Sequence, residues 1–391
     1  MHIFELINYL CVKTFNSSNF KLGILGGGQL GKMLLQPAMN YSVDVHILDP
    51  DPTSPCSYFC KNFHLGSFND FNTVYNFGRN LDLITIEIEN VNVEALKKLE
   101  SEGVTVFPQP HIIELIQDKG LQKDFYIQNN IPTSPYQKIV NREELVHYAD
   151  KFPAMQKLRK AGYDGRGVCK INSLKDLDKA FNEPSILEEL VDFDKEIAVL
   201  VARNASGQIK TFDAVEMEFN PDMNLVDFLF SPANISDELT EIAKQLAMNV
   251  VEKLNFVGLL AVEMFVTKDG KILVNELAPR PHNSGHHTIE ACVTSQYEQH
   301  LRAILNLPLG CTDQRQPAVM VNLLGEENFI GEARYVGVNE ISSLGGVYLH
   351  LYGKKITKPF RKMGHVTIID SDLKKAFEKA KFVKDTFKIQ A

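Results

Sequence analysis

Apolar and polar positions alternate with a period that changes along the chain, and the changes mark out elements. Lys21–Leu25 (KLGIL) is a short apolar run that breaks into Gly26-Gly27-Gly28 and then Gln29-Leu30-Gly31. Lys32–Met39 carries helical spacing, and Tyr41–Leu48 is a second strand-like run ending at Asp49. Strand, glycine turn, helix, strand predicts a βαβ unit of a parallel sheet. A proline-dense loop, 50–55, follows. Leu81–Ile88 and Val104–Phe107 read as further strands, with a helix through Glu94–Leu99 between them and Pro108-Gln109-Pro110 closing the region. Ile112–Asn130 reads as one helix, and Phe152–Lys157 as a strand entered from a proline. Glycines 162, 165 and 167 then punctuate a loop between two short strands. Ser185–Leu190 and Ile197–Val201 are strand-like. Leu259–Val266 and Ile272–Glu276 predict a hairpin turning on Asp269-Gly270. Thr288–Ile304 reads as a helix and Gly364–Ile368 as a returning strand.

Composition limits what such a chain can be. Its 391 residues are 44% hydrophobic and 23% charged, enough for two or three ordinary domains with real cores. Lys and Arg number 41 against 49 acids, a net charge of −8, and no basic tract offers phosphate neutralisation, so no nucleic-acid partner is expected. No apolar run is long enough to span a membrane. The six cysteines are scattered, and only Cys56 and Cys60 are close; they read as reduced thiols of a cytoplasmic protein. Residues 1–20 lack the basic start and small-residue cleavage site of a signal peptide and read as an N-terminal extension.

Four patches carry chemistry. Gly26-x-Gly28-x-x-Gly31, with Asp49 downstream, fits a dinucleotide fingerprint or a small-anion site at a helix start. The loop Ala161–Gly167 (AGYDGRG) can fold over phosphates, although Asp-Gly also suits an ordinary hairpin tip. The hairpin places one acid on each apolar strand, Glu263 and Glu276, with Asn275 adjacent. Acids there are costly unless paired or metal-bound, and an oxygen set of this kind suits magnesium; structural ion pairing is the other reading. Arg280, His282 and Asn283 suit an anion or planar carboxylate-like group, and the bases around Lys354 and Arg361 suit either a phosphate clamp or a charged surface hairpin. Glu188, Glu189, Asp192, Asp194 and Glu196 read as adenine and ribose contacts or as a solvated acidic loop.

GILGGGQLGKM (23–33), AGYDGRG (161–167), VNELAPRPHNSGHH (274–287) and KMGHVTI (362–368), in this order, resemble the ATP-grasp superfamily. Within it they resemble the family that carboxylates 5-aminoimidazole ribonucleotide (AIR). The likeness covers residues 21 to about 370. It implies an α/β and α+β architecture: an ATP-grasp fold with an N-terminal preATP-grasp (Rossmann-like) parallel sheet at 21–118, a central lid subdomain at 119–187 and a C-terminal ATP-grasp domain at 188–391. It implies ATP and Mg2+ as cofactors, no biotin, AIR and bicarbonate as substrates, and a homodimer. The product would be N5-carboxyaminoimidazole ribonucleotide, with ADP and phosphate. No fused mutase domain fits in the length, so a separate mutase is expected to take it.

The same resemblance assigns roles. Lys119 and Lys157 match lysines on ATP phosphates, and Tyr163, Gly165 and Gly167 belong to the mobile phosphate loop. Glu188, Leu190 and Glu196 match adenine and ribose contacts, and Asn275 lies beside the magnesium carboxylates Glu263 and Glu276. Asp164, Arg166, Arg280, His282 and Asn283 match the bicarbonate and AIR region, with Asp164, Arg166 and Arg280 as the catalytic set. Gly28, Gln29, Leu30, Asp49, Lys354 and Arg361 are expected to hold AIR, so the glycine turn would receive AIR and not NAD. The chain departs from the family pattern at Leu158, at His287, and at Met217 and Phe219. Two neighbours on the same fold compete: a formate-dependent glycinamide ribonucleotide transformylase, and a non-catalytic nucleotide-binding homologue. The second would be expected to lack a magnesium acid or a phosphate lysine, and none is missing.

Overall fold

The computed structural model describes residues 15–160, 162, 167–220 and 225–391. The N-terminal extension up to residue 14, and Tyr163, Asp164, Gly165 and Arg166, lie outside the described residues.

The first sheet has five parallel strands in the order Asn62–Leu65, Asp44–Asp49, Lys21–Leu25, Leu83–Ile86, Thr105–Val106. Both faces are covered, as apolar parallel strands require. Leu22 and Ile24 face the helix Gln29–Asn40 and share a core with Tyr297, Leu301 and Tyr352 from far along the chain. Leu25, Ile84 and Ile86 face the opposite side, with Leu96 and Leu99 of the helix Val93–Ser101. Gly26 turns the chain at φ +103, a conformation that favours glycine.

The single helix expected over 112–130 is two, Pro110–Gln117 and Lys119–Gln128. Asp118 breaks it with extended dihedrals, and its carboxylate accepts from the amides of Gly120 and Leu121, capping the second helix.

A four-stranded antiparallel sheet follows, ordered Tyr136–Ile139, Ser185–Glu189, Ala154–Leu158, Val168–Ile171. It has its own core around Ile139, Leu145, Ala154, Ile171, Ala180 and Leu187. The boundary expected between 187 and 188 falls inside the strand Ser185–Glu189, whose register with Tyr136–Ile139 and Ala154–Leu158 keeps Glu188 in this sheet.

The largest sheet is antiparallel, running Ile272–Ala278, Gly258–Thr267, Phe193–Arg203, Val215–Phe219, Val226–Ser231, Ala318–Leu324, Lys362–Ile369, Val347–Leu351. The helix Asp237–Lys253 covers one end and Leu373–Thr386 the other. The expected helix 288–304 is broken as well. Thr288–Ala291 and Gln296–Ile304 are separated by an extended Cys292, and Ser295 caps the second by accepting from Glu298 N. The five described cysteines are free. Among the described residues no helix is long and apolar enough to cross a membrane.

Candidate active site

The hairpin of Gly258–Thr267 and Ile272–Ala278 sets Glu263 directly opposite Glu276. Two carboxylates in register on partly covered strands repel each other. Burial, then the charges of Glu276 and Glu196, push Glu263 up to about 7. Burial likewise pushes Glu196 up to about 7, against the charge of Lys157. A lysine and an imidazole stand against this charge. Lys119, the first residue of its helix, forms an ion pair with Glu276. Nε2 of His282 stands 3.5 Å from Glu263.

Lys157 reaches the same place from the small sheet. Its ammonium lies 2.6 Å from Glu188 and 3.0 Å from Oδ1 of Asn275. Burial lowers its pKa, but the Glu188 charge overrides this and leaves it raised. Glu188 is nearly enclosed, and its second oxygen lies 2.7 Å from the ammonium of Lys123. Burial would raise it, but Lys157 and Lys123 hold it down at about 2. Glu188, expected to meet adenine or ribose, therefore has its carboxylate engaged by two lysines. Leu190 lies just past that strand, exposed. Arg159 holds Asp118 through two hydrogen bonds of 2.8 and 2.7 Å, fixing the helix that presents Lys119. Gly167 adopts φ +75, and its carbonyl accepts from Leu158 N.

The glycine turn holds an anion that belongs to the protein. Glu87, at the end of Leu83–Ile86, accepts from Gly28 N at 2.9 Å and from Gly31 N at 3.1 Å. These are the donors a helix start offers to an anion. Burial raises Glu87 to about 7, with both amide bonds and Arg280 opposing. A side chain on Gly28 would meet Glu87 Oε1 at 2.8 Å. Two expected substrate contacts lie deeper than their neighbours in the turn. Asp49 is buried and spends both oxygens on the amides of Gly27 and Asp51, so it shapes the turn. The side chain of Leu30 is buried in the first core. Gln29 is half-exposed at the helix start.

The loop after the hairpin joins the two regions. Arg280 pairs with Glu89 at 2.6 Å, bringing the end of the first sheet beside the acid hairpin. Gln296 pins the loop by accepting from His282 N and donating to His282 O, both at 2.8 Å. Asn283 and Asn322 exchange hydrogen bonds of 2.9 and 3.0 Å, tying the loop to the large sheet. Lys354 donates to Lys362 O at 2.7 Å, and Lys32 donates to Leu351 O at 2.9 Å, so two cations collect near the start of the glycine-turn helix. Arg361 donates to Ile356 O on an exposed loop. Glu87, Lys123 and Lys32 have no site role in the sequence pattern. The one local signal is that Glu87 interrupts the expected apolar strand Leu81–Ile88.

Family models match in three consecutive blocks: the ribonucleotide synthetase preATP-grasp domain at 20–117, the ATP-grasp domain at 124–297, and the phosphoribosylaminoimidazole carboxylase C-terminal domain at 318–379. The second block contains both the small sheet and the acid hairpin, which the expected boundary divided. N5-carboxyaminoimidazole ribonucleotide synthase of Brucella melitensis is 37% identical over 365 residues, 91% of this chain and 98% of that protein. The chain belongs to the N5-carboxyaminoimidazole ribonucleotide synthase family. Within this synthase family, the Thermotoga maritima structure superposes with a TM-score of 0.88 at 45% identity, covering 95% of this chain and 99% of that one. The Aspergillus clavatus synthase complexed with ATP gives 0.87 at 32% identity, covering 94% and 98%. The chloroplastic phosphoribosylaminoimidazole carboxylase of Vigna aconitifolia is 39% identical over 90% of this chain, which spans 64% of that longer protein.

Proposed function

We propose that the chain carboxylates AIR with bicarbonate at the expense of ATP, releasing N5-carboxyaminoimidazole ribonucleotide, ADP and phosphate. The observation that carries this reading is the meeting of Glu263 and Glu276 with Lys119 and Lys157, drawn from the hairpin, a helix and the small sheet, in a chain of this family. The donor set fits magnesium: two hard carboxylate oxygens on one side, leaving room for water and substrate phosphates. Bound there, the ion would neutralise charge on the transferred phosphoryl group.

The chain's own groups account for the rest. A bicarbonate oxygen attacks the γ-phosphorus and ADP leaves, giving carboxyphosphate. Lys157 faces the growing negative charge, and Lys119 exchanges its contact with Glu276 for a phosphate oxygen. Arg280 orients bicarbonate from beside Glu89. The AIR amine then attacks the carboxyl carbon, phosphate leaves, and one amine proton departs. Asp164 is assigned to orient or deprotonate that amine, and Arg166 is assigned to the same catalytic set. Carboxyphosphate is short-lived in water, so excluding water belongs to the phosphate role assigned to Tyr163, Gly165 and Gly167. AIR is assigned to the region of Gly28, Gln29, His282, Asn283, Lys354 and Arg361, where Lys32 adds a cation. Assembly as a homodimer and delivery of the product to a separate mutase belong to the same proposal.

The test is ADP release with magnesium, ATP and bicarbonate, with and without AIR. ADP formation that climbs steeply on adding AIR supports the synthase. Folded, ATP-binding protein that ignores AIR overturns it, and a parallel assay with glycinamide ribonucleotide and formate identifies the transformylase.

A further inference from the structure

Lys123 is a buried cation without a role in the chemistry so far described. It sits on the second turn of Lys119–Gln128 with its side chain 3% exposed. Its ammonium has three oxygen neighbours: Thr133 Oγ1 at 2.6 Å, Ser134 Oγ at 3.0 Å and Glu188 Oε1 at 2.7 Å. The contact with Glu188 is an ion pair. The other carboxylate oxygen lies 2.6 Å from Lys157. Thr133 in turn donates to Val274 O at 2.7 Å, one residue before Asn275, so the cluster is anchored to the acid hairpin.

Charge arithmetic gives Lys123 a purpose. Glu188 alone with Lys157 would form a neutral buried pair, and the positive charge Lys157 presents to ATP would be largely cancelled. With Lys123 on the far oxygen the trio carries a net +1. We propose that Lys123 is a positioning and charge-balancing residue: it neutralises Glu188 so that Lys157 remains an effective phosphate cation. The inference rests on the reading of Lys157 as an ATP-phosphate ligand. A purely structural Lys123 would satisfy Glu188 and the two hydroxyls and have no bearing on charge at Lys157.

The two roles separate in a double-mutant cycle measured on kcat/KM for ATP at saturating AIR. Lys123→Met in the wild-type background is expected to cost about 30-fold, the scale of removing one partner of a buried charge pair. In the Glu188→Gln background, where the trio already keeps Lys157 uncancelled, the same change should cost less than about threefold. Lys123→Arg, which keeps the charge, should stay within about fivefold of wild type. An equal cost of Lys123→Met in both backgrounds overturns the proposal. Lys157→Met is the control: if it leaves kcat/KM for ATP unchanged, the reading of Lys157 fails first. Should Lys123→Met not fold, Lys123→Gln, whose amide can still bond the hydroxyls, runs the same cycle, with melting temperature reporting stability separately.

Discussion

At the residue scale, the site is built from charges that would be unfavourable alone. Glu276 faces Glu263 across the hairpin and is met by Lys119, so one carboxylate both repels its neighbour and holds a lysine. Glu276→Ala should therefore lower AIR-dependent ATP turnover by about 100-fold or more, because a ligand oxygen and an anchor go together. The fold should survive, since the position is half open to solvent, with 41% of the side chain exposed. Turnover within about threefold of wild type, in protein with an unchanged circular dichroism spectrum, would remove the metal role from Glu276. The hairpin acids were legible because acids interrupting apolar strands stand out in a linear pattern. Glu87 and Lys123 were not, because what defines them is a partner elsewhere: Glu87 lies 59 residues from the amide of Gly28. Asp49 has an environment that its spacing does not show. Its spacing from the glycines suited a ribose contact, while its depth turned both oxygens onto the backbone.

At the element scale, the helix Gln296–Ile304 does more than cover a sheet. Its first residue pins the His282 loop, and its His300 bridges two sheets. One ring nitrogen of His300 lies 2.9 Å from Thr85 of the first sheet, and the other accepts from Leu259 N at 3.1 Å. Burial drops His300 to about 3. His287 falls to about 4, and His282, His286 and His365 lie well below the ordinary imidazole value, each mainly through burial. The sign follows from proton counts. As pH falls below about 6.5 the unfolded chain protonates these five histidines and the folded one does not, so stability is lost. Glu87, Glu196 and Glu263 act oppositely: near pH 5.5 the folded chain holds their protons and the unfolded chain does not. Among these groups, five against three leaves a net uptake of about two protons on unfolding near pH 5.5, a slope of ~3 kcal/mol per pH unit there. Chemical denaturation between pH 7 and 5 should show the midpoint falling. His300→Leu should cost about 1–3 kcal/mol at pH 7 by stranding Leu259 N, and should flatten the slope by one proton. A midpoint that rises on acidification contradicts the count. The sequence pattern marked this helix correctly in type but ran it through Cys292-Val293-Thr294, as it ran another through Asp118. Apolar periodicity continues across both breaks, and what stops the helices is capping by Ser295 and Asp118.

At the scale of the whole molecule, the order of parts was readable and their membership was not. The strands of the largest sheet span Phe193 to Ile369, and no local pattern says that Val226–Ser231 will pair with Ala318–Leu324. The small sheet, assigned a lid role by resemblance, is set apart by its packing. Its core is a separate cluster, and Val140, Val146 and Leu174 around it are 62%, 50% and 45% exposed. It is tied to the rest mainly by polar links: Arg159 to Asp118 on one side, and Lys157 to Asn275 on the other. A unit with a small core and polar attachments opens at lower free energy than the sheets around it. Amides of Ala154–Leu158 and Ser185–Glu189 should therefore exchange with deuterium faster than those of Lys21–Leu25 or Gly258–Thr267 in the free protein. ATP with magnesium, touching Lys157 and Lys119 at once, would bind the closed arrangement and not the opened one. At 100 times its dissociation constant such a ligand stabilises by about 2.7 kcal/mol, roughly a hundredfold slowing of exchange through that opening. The slowing should concentrate in the small sheet and the acid hairpin. Uniform exchange across all three sheets, or slowing confined to the first, would mean that the small sheet is as firmly held as its neighbours and that closure over the nucleotide is not what its separate core is for.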